Sequence, residues 1–114
     1  VQSNRTLKKL YREYNRKYFA GKLPSLPINF LTPGQMKKYF GVARATCAIT
    51  CFKKGTYTPD SIYISMNQFK PWRYVRADLL HELCHVSKPR ASHGKVFQDE
   101  MLRIAKLGAF EDAW

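Results

Sequence analysis

The chain has 114 residues, 45% of them hydrophobic and 14% aromatic, which admits one globular domain with a real core and excludes two domains or a disordered chain. No apolar run is long enough to span a bilayer. Twenty Lys and Arg against eight Asp and Glu give a formal charge of +12, which predicts attraction to polyanions such as nucleic acid and works against an acidic-patch binder; a merely soluble basic protein is the plainer reading. The first ten residues are polar and basic and do not read as a signal peptide, while a start at Val1 without methionine leaves a lost leader or neighbouring domain open. Three cysteines without a dense framework fit reduced thiols in a cytosolic or nuclear protein. Cys47 and Cys51 are too far apart to bridge along one strand and pair only if a turn separates them; Cys84 is expected to pack.

In chain order, a helix is expected from about Asn4 to Phe19, with an apolar stripe of Leu7, Leu10, Tyr11, Tyr14 and Tyr18 and a basic one of Arg5, Lys9, Arg12 and Arg16. Gly21 and Pro24 end it. Pro27 to Leu31 reads as a short strand closed by Pro33-Gly34, and Tyr39 to Phe52 as one or two strands followed by a Lys53-Lys54-Gly55 turn. Ser61 to Ser65 is the clearest strand, bounded by Pro59-Asp60 and Asn67. Pro71 suits a first helical turn and opens a helix to about Ser87, which Pro89 prevents from continuing. A last helix runs from Gly94 to about Leu107, with Phe97, Met101, Ile104 and Ala105 inward and Gly108 as its stop. The fold class is therefore α+β and zincin-like: an N-terminal helix, a small three- to four-stranded sheet, then two helices.

The second of these helices carries the chemistry. His81-Glu82-Leu83-Cys84-His85 reads H-E-x-x-H, and at about 100° per residue its histidines lie only ~40° apart on one face. Trp72, Val75, Leu79, Leu83 and Val86 fall roughly opposite, so one face packs and the other is free for a metal. Two imidazoles leave a zinc ion short of ligands, and His93, the remaining histidine of three in the chain, is the nearest candidate for a third. The alternative is two surface histidines flanking a solvated glutamate; the amphipathic frame and the use of every histidine weigh against it.

With these residues in place the chain resembles the SprT-like (Spartan-type) zinc metallopeptidase domains. The resemblance lies in Leu10-Tyr11, Asn15 and Tyr18-Phe19-Ala20-Gly21-Lys22-Leu23-Pro24, in Ile62-Tyr63-Ile64-Ser65 ahead of Leu79-Leu80-His81-Glu82-Leu83-Cys84-His85, and in His93-Gly94-Lys95-Val96-Phe97. A metzincin would need glycine and histidine where Lys88 and Ala91 stand. The resemblance implies a zinc-dependent endopeptidase, and the best-known members cleave proteins trapped on DNA. Two departures bear on targeting: the His85–His93 loop is short, and no cysteine-rich zinc ribbon follows the last helix.

On this reading His81, His85 and His93 bind zinc as neutral imidazoles, and Glu82 takes a proton from water and passes it to the leaving amine. The macrodipole of the last helix favours a neutral His93, and Phe97 anchors that helix. Asp78, one turn before His81, is either an orienting partner for an imidazole or a solvated or capping carboxylate. The strand Ile62–Ser65 is expected to offer an edge to an extended peptide. Tyr63 and Tyr74, the nearest phenols, are read as structural, as is Trp72, although Trp72 and Tyr74 interleave with charges and suit base stacking. Basic groups are Lys37-Lys38, Lys53-Lys54, Lys70 with Arg73 and Arg76, and Lys88, Arg90 and Lys95 near His93. The expected partners are a protein substrate and DNA bound without sequence preference, with no membrane, for a monomer in the cytoplasm or nucleus. A zincin dedicated to one protein such as a repressor, and a non-hydrolytic nucleic-acid-binding zinc module, are the alternatives.

Overall fold

The computed structural model describes residues 3–43, 46–66 and 70–111. Its elements are α1 (Asn4–Tyr18), β1 (Ile28–Leu31), α2 (Pro33–Phe40), β2 (Ala48–Phe52), β3 (Pro59–Ser65), α3 (Trp72–Ser87) and α4 (Lys95–Lys106). This is the expected α+β layout with one helix added.

Helix α1 starts where Ser3, in extended conformation, accepts the Thr6 N–H at 3.2 Å. Leu7, Tyr11, Tyr14 and Tyr18 are buried, while Arg5, Lys9, Arg12 and Arg16 stay in solvent. After Tyr18 the chain turns through left-handed Ala20 and Gly21, and Asn15 holds the turn like a strand partner. Its amide donates to the Leu23 carbonyl and accepts the Leu23 N–H, both at 3.0 Å. The Tyr11 hydroxyl donates to the Pro24 carbonyl at 2.6 Å, and burial pushes its pKa up to about 12.

The sheet has three strands in the order β1-β3-β2, with β1 parallel and β2 antiparallel to β3. Ile62 and Ile64 of β3 are fully buried, and Ser61 and Ser65 are buried too. The expectation of an edge at Ile62–Ser65 is thus corrected: β3 is the central strand, with Ile62 opposite Ile28 on one side and Thr50 on the other. Burial of Ser61, Ile62, Ile64 and Ser65 is what a strand flanked on both sides carries.

Among the described residues, the region from Tyr39 to Phe52 supplies one of the one or two strands expected, and Tyr39 and Phe40 belong to α2; residues 44–45, like Asn67, lie outside the described ones. Pro33-Gly34 opens a helix instead of merely closing a strand. Thr32 accepts the Gln35 N–H at 3.1 Å and Gln35 returns its side-chain oxygen to the Thr32 N–H at 2.9 Å, a capping box with proline at the first turn. Left-handed Gly41 ends the helix. Phe40 then packs on Tyr63, ring centroids 5.1 Å apart, covering the sheet face opposite Ile62 and Ile64.

Helix α3 packs on β2, β3, α1 and α4 through Val75, Leu79, Leu80, Leu83 and Val86. Pro71 is the residue before its first turn, and Trp72 is partly buried against the core. In α4, Phe97 and Ile104 are buried as expected, but Ala105 is exposed and Glu100 is buried in its stead. Ala105 sits about 80° around the helix from Phe97, past the rim of the buried stripe.

Candidate metal centre

Helix periodicity puts His81 and His85 on the solvent side of α3, and the loop after Pro89 brings His93 back over them. The His93 Nε2 lies 3.3 Å from the His81 Nε2 and 3.1 Å from the His85 Nε2. Among the described residues these three form the group able to hold a metal ion. Two nitrogens each 2.0–2.1 Å from a tetrahedral ion stand about 3.3 Å apart, so the observed spacing fits such an ion. The His93 Nε2 carries either one proton or one lone pair, so it can make a well-directed hydrogen bond to only one of the other two nitrogens, whereas a shared cation satisfies all three. His85 and His81 are kept neutral: burial, then the neighbouring imidazoles, lowers the pKa of His85 to about 4, and burial followed by His93 lowers that of His81.

Phe97 sets the geometry from below. It is 1% exposed, and its ring stacks on His85 at 4.4 Å and meets His81 and His93 edge-on at 4.9 and 5.1 Å. A residue expected only to anchor α4 therefore touches all three imidazoles. His93 itself precedes Gly94, the N-cap of α4, and its carbonyl accepts from the Gln98 side chain at 3.3 Å.

Glu82 points into the same cleft and is only 5% exposed. Burial pushes its pKa up to about 7; the Thr50 hydroxyl, donating to Oε1 at 2.8 Å, works the other way, and the charge of Asp78 adds to the rise. A carboxyl group poised there exchanges protons readily at neutral pH. The cleft, about 630 Å³, is walled by Cys47 to Thr50 of β2 and its approach on one side and by α3 on the other. Ser65 donates its N–H to the Cys47 carbonyl at 2.8 Å, so alternation turns the backbone groups of Ala48 and Thr50 toward the free edge of β2.

The chain-wide pattern decides the family. A model described as the SprT-like family matches residues 7–113. The chain belongs to the SprT-like family. No curated protein and no solved structure matches it significantly. Family membership marks a zincin-like, metallopeptidase-type domain, and the three converging histidines of this SprT-like domain agree with that.

Other expected residues fall elsewhere in the SprT-like domain. Asp78 lines the cleft and pairs with Lys70 at 2.5 Å, and its charge acts on His81 against the lowering of that imidazole's pKa. Lys70 also donates to the Ser65 carbonyl at 2.7 Å, tying the entry of α3 to the end of β3. Tyr63 packs on Phe40 and Tyr74 is exposed beside Arg73, so neither phenol lines the cleft. Among the described residues Cys47, Cys51 and Cys84 form no disulfide, and Cys84 is buried. Thr50 escaped the sequence reading, since nothing in a chain marks a partner 32 residues away. Among the described residues, no helix is long and apolar enough to cross a membrane.

Proposed function

We propose that the chain is a zinc-dependent endopeptidase that cleaves proteins bound or crosslinked to DNA. The observation that carries the enzymatic part is the convergence of three Nε2 atoms beside a buried, proton-exchanging Glu82 in a cleft edged by a strand. His81, His85 and His93 would hold the zinc, which supplies a Lewis acid that polarises the scissile carbonyl and makes water acidic near neutrality. Glu82 accepts the proton of the attacking water at its carboxylate and delivers it to the departing amine, with Thr50 fixing the carboxylate's direction. A retained base argues against a purely structural zinc module, which closes its fourth position and needs none.

The substrate backbone is placed along β2, whose outward groups at Ala48 and Thr50 can pair with an extended peptide. This moves the expected edge from β3 to its neighbour. A charge of +12 supports substrates presented on nucleic acid, where shared binding raises local concentration.

The test compares hydrolysis of a DNA-bound protein with that of the same protein free, with Glu82→Gln and His93→Ala as references. Wild type is expected to cleave the bound form faster; Glu82→Gln should keep zinc and fold but not cleave, and His93→Ala should lose zinc. Wild-type cleavage by Glu82→Gln, or full zinc in His93→Ala, defeats the catalytic assignment. Equal rates with and without DNA would instead favour a protease dedicated to one protein.

A further inference from the structure

Helices α3 and α4 border two concavities. His85 and Met101 line the catalytic cleft, whereas Ser87 and Glu100 line a second groove of about 580 Å³, closed by the C-terminal end of α1 and the loop after it. Five cations surround this groove, Arg16, Lys17, Lys22, Lys88 and Arg103, against the single carboxylate of Glu100. That carboxylate is already engaged, accepting from Arg103 at 2.6 Å and from the Ser87 hydroxyl.

Part of the surplus has a local cause, because the C-terminal ends of α1, α3 and α4 each carry about half a negative charge. Set against those ends and Glu100, the five cations still leave about 2.5 positive charges facing one concavity, where the field is focused. Three of the cations sit on defined supports. Lys22 rides on the turn that Asn15 and Tyr11 pin, Lys17 lies 5.4 Å over the Tyr18 ring, and Arg103 lies 5.2 Å over the Phe19 ring. From Arg16 the exposed stripe of Arg12, Lys9 and Arg5 continues along the ridge of α1 for about 16 Å.

We propose that the groove and this stripe form one track for the phosphodiester backbone of a nucleic acid. The proposal rests on the nucleic-acid part of the function above and gives it a location. Cations about one helical turn apart match a ligand whose charge repeats, and contacts made to phosphates carry no sequence information.

The experiment measures affinity for a single-stranded oligonucleotide across a salt series in three variants. One carries Lys17→Gln, Lys22→Gln and Lys88→Gln; a control carries Lys37→Gln, Lys38→Gln and Lys54→Gln; a third replaces the groove lysines by arginine. At ~0.7 in log–log slope per lost phosphate contact, the groove variant should flatten the salt dependence by about 2 and bind about 100-fold more weakly near 0.1 M salt. The control and the arginine variant should bind like wild type, and all should cleave a DNA-free unfolded protein at the wild-type rate. Wild-type affinity in the groove variant, or equal losses in groove and control variants, would overturn the track while leaving DNA-directed proteolysis standing. No affinity in the wild type would remove that reading and the track with it. Displacement of the oligonucleotide by submillimolar inorganic phosphate at constant ionic strength would make the groove a small-anion site and also overturn the proposal.

Discussion

Glu82 shows how one residue's chemistry is set by neighbours from distant parts of the chain. Burial, helped by the charge of Asp78, drives its carboxyl toward the neutral form, and the Thr50 hydroxyl restrains that drift while fixing one oxygen. Thr50→Val keeps the shape of β2 and removes only the donor. A hydrogen bond to a charged group contributes about 1.5–3 kcal/mol, so turnover should fall roughly tenfold to a hundredfold with zinc content unchanged. Peptide hydrolysis and metal analysis on the purified variant check this; a wild-type rate would show that Glu82 needs no such partner. Phe97 plays the corresponding part for the ligands, since one ring in contact with three imidazoles leaves none of them free to turn independently.

Among the elements, α4 is joined to α3 by a buried charge. Glu100 accepts from Arg103 and Ser87; burial works to raise its pKa, but those hydrogen bonds and the charges of Arg103 and Lys88 outweigh it and hold the carboxyl below its ordinary value. A carboxyl with a lowered folded-state pKa stabilises the fold above its unfolded value of about 4 and ceases to do so as pH falls through the folded value. Wild type should therefore exceed Glu100→Gln in urea midpoint at neutral pH, and the gap should close in acid; a gap as wide at low pH as at pH 7 would exclude the ion pair as its source. Glu100 was not legible in the sequence, because a carboxylate on an otherwise apolar stripe looks like a helix's wet rim. The convergence of the three histidines was legible because two lie on one helix and the third eight residues beyond, so local geometry alone brings them close. Helix α2 had a readable signal in Thr32-Pro33-Gly34-Gln35, but Pro-Gly is also the commonest sign of a turn. The position of β3 was hidden for another reason: Ser-Ile-Tyr-Ile-Ser alternates as an edge strand does, and only pairing on both sides reveals its serines as buried.

At the scale of the molecule, the contacts that make the site differ in how much chain each must gather. His93 reaches His85 across eight residues, whereas Thr50 reaches Glu82 across 32. Loop-closure entropy grows with the logarithm of length, so the second contact costs about 1 kcal/mol more to close and is disfavoured several-fold in a collapsing chain. Local helix contacts also form faster than the pairing of distant strands. We therefore expect a cobalt(II) absorption band, reporting the histidine cluster, to recover during refolding ahead of peptide hydrolysis. Recovery of both in one shared exponential phase would contradict this order. On the proposed function, a chain that has just left the ribosome would hold a metal before it could cut, and an unfinished protease would spare itself and its neighbours through the timing of its own contacts.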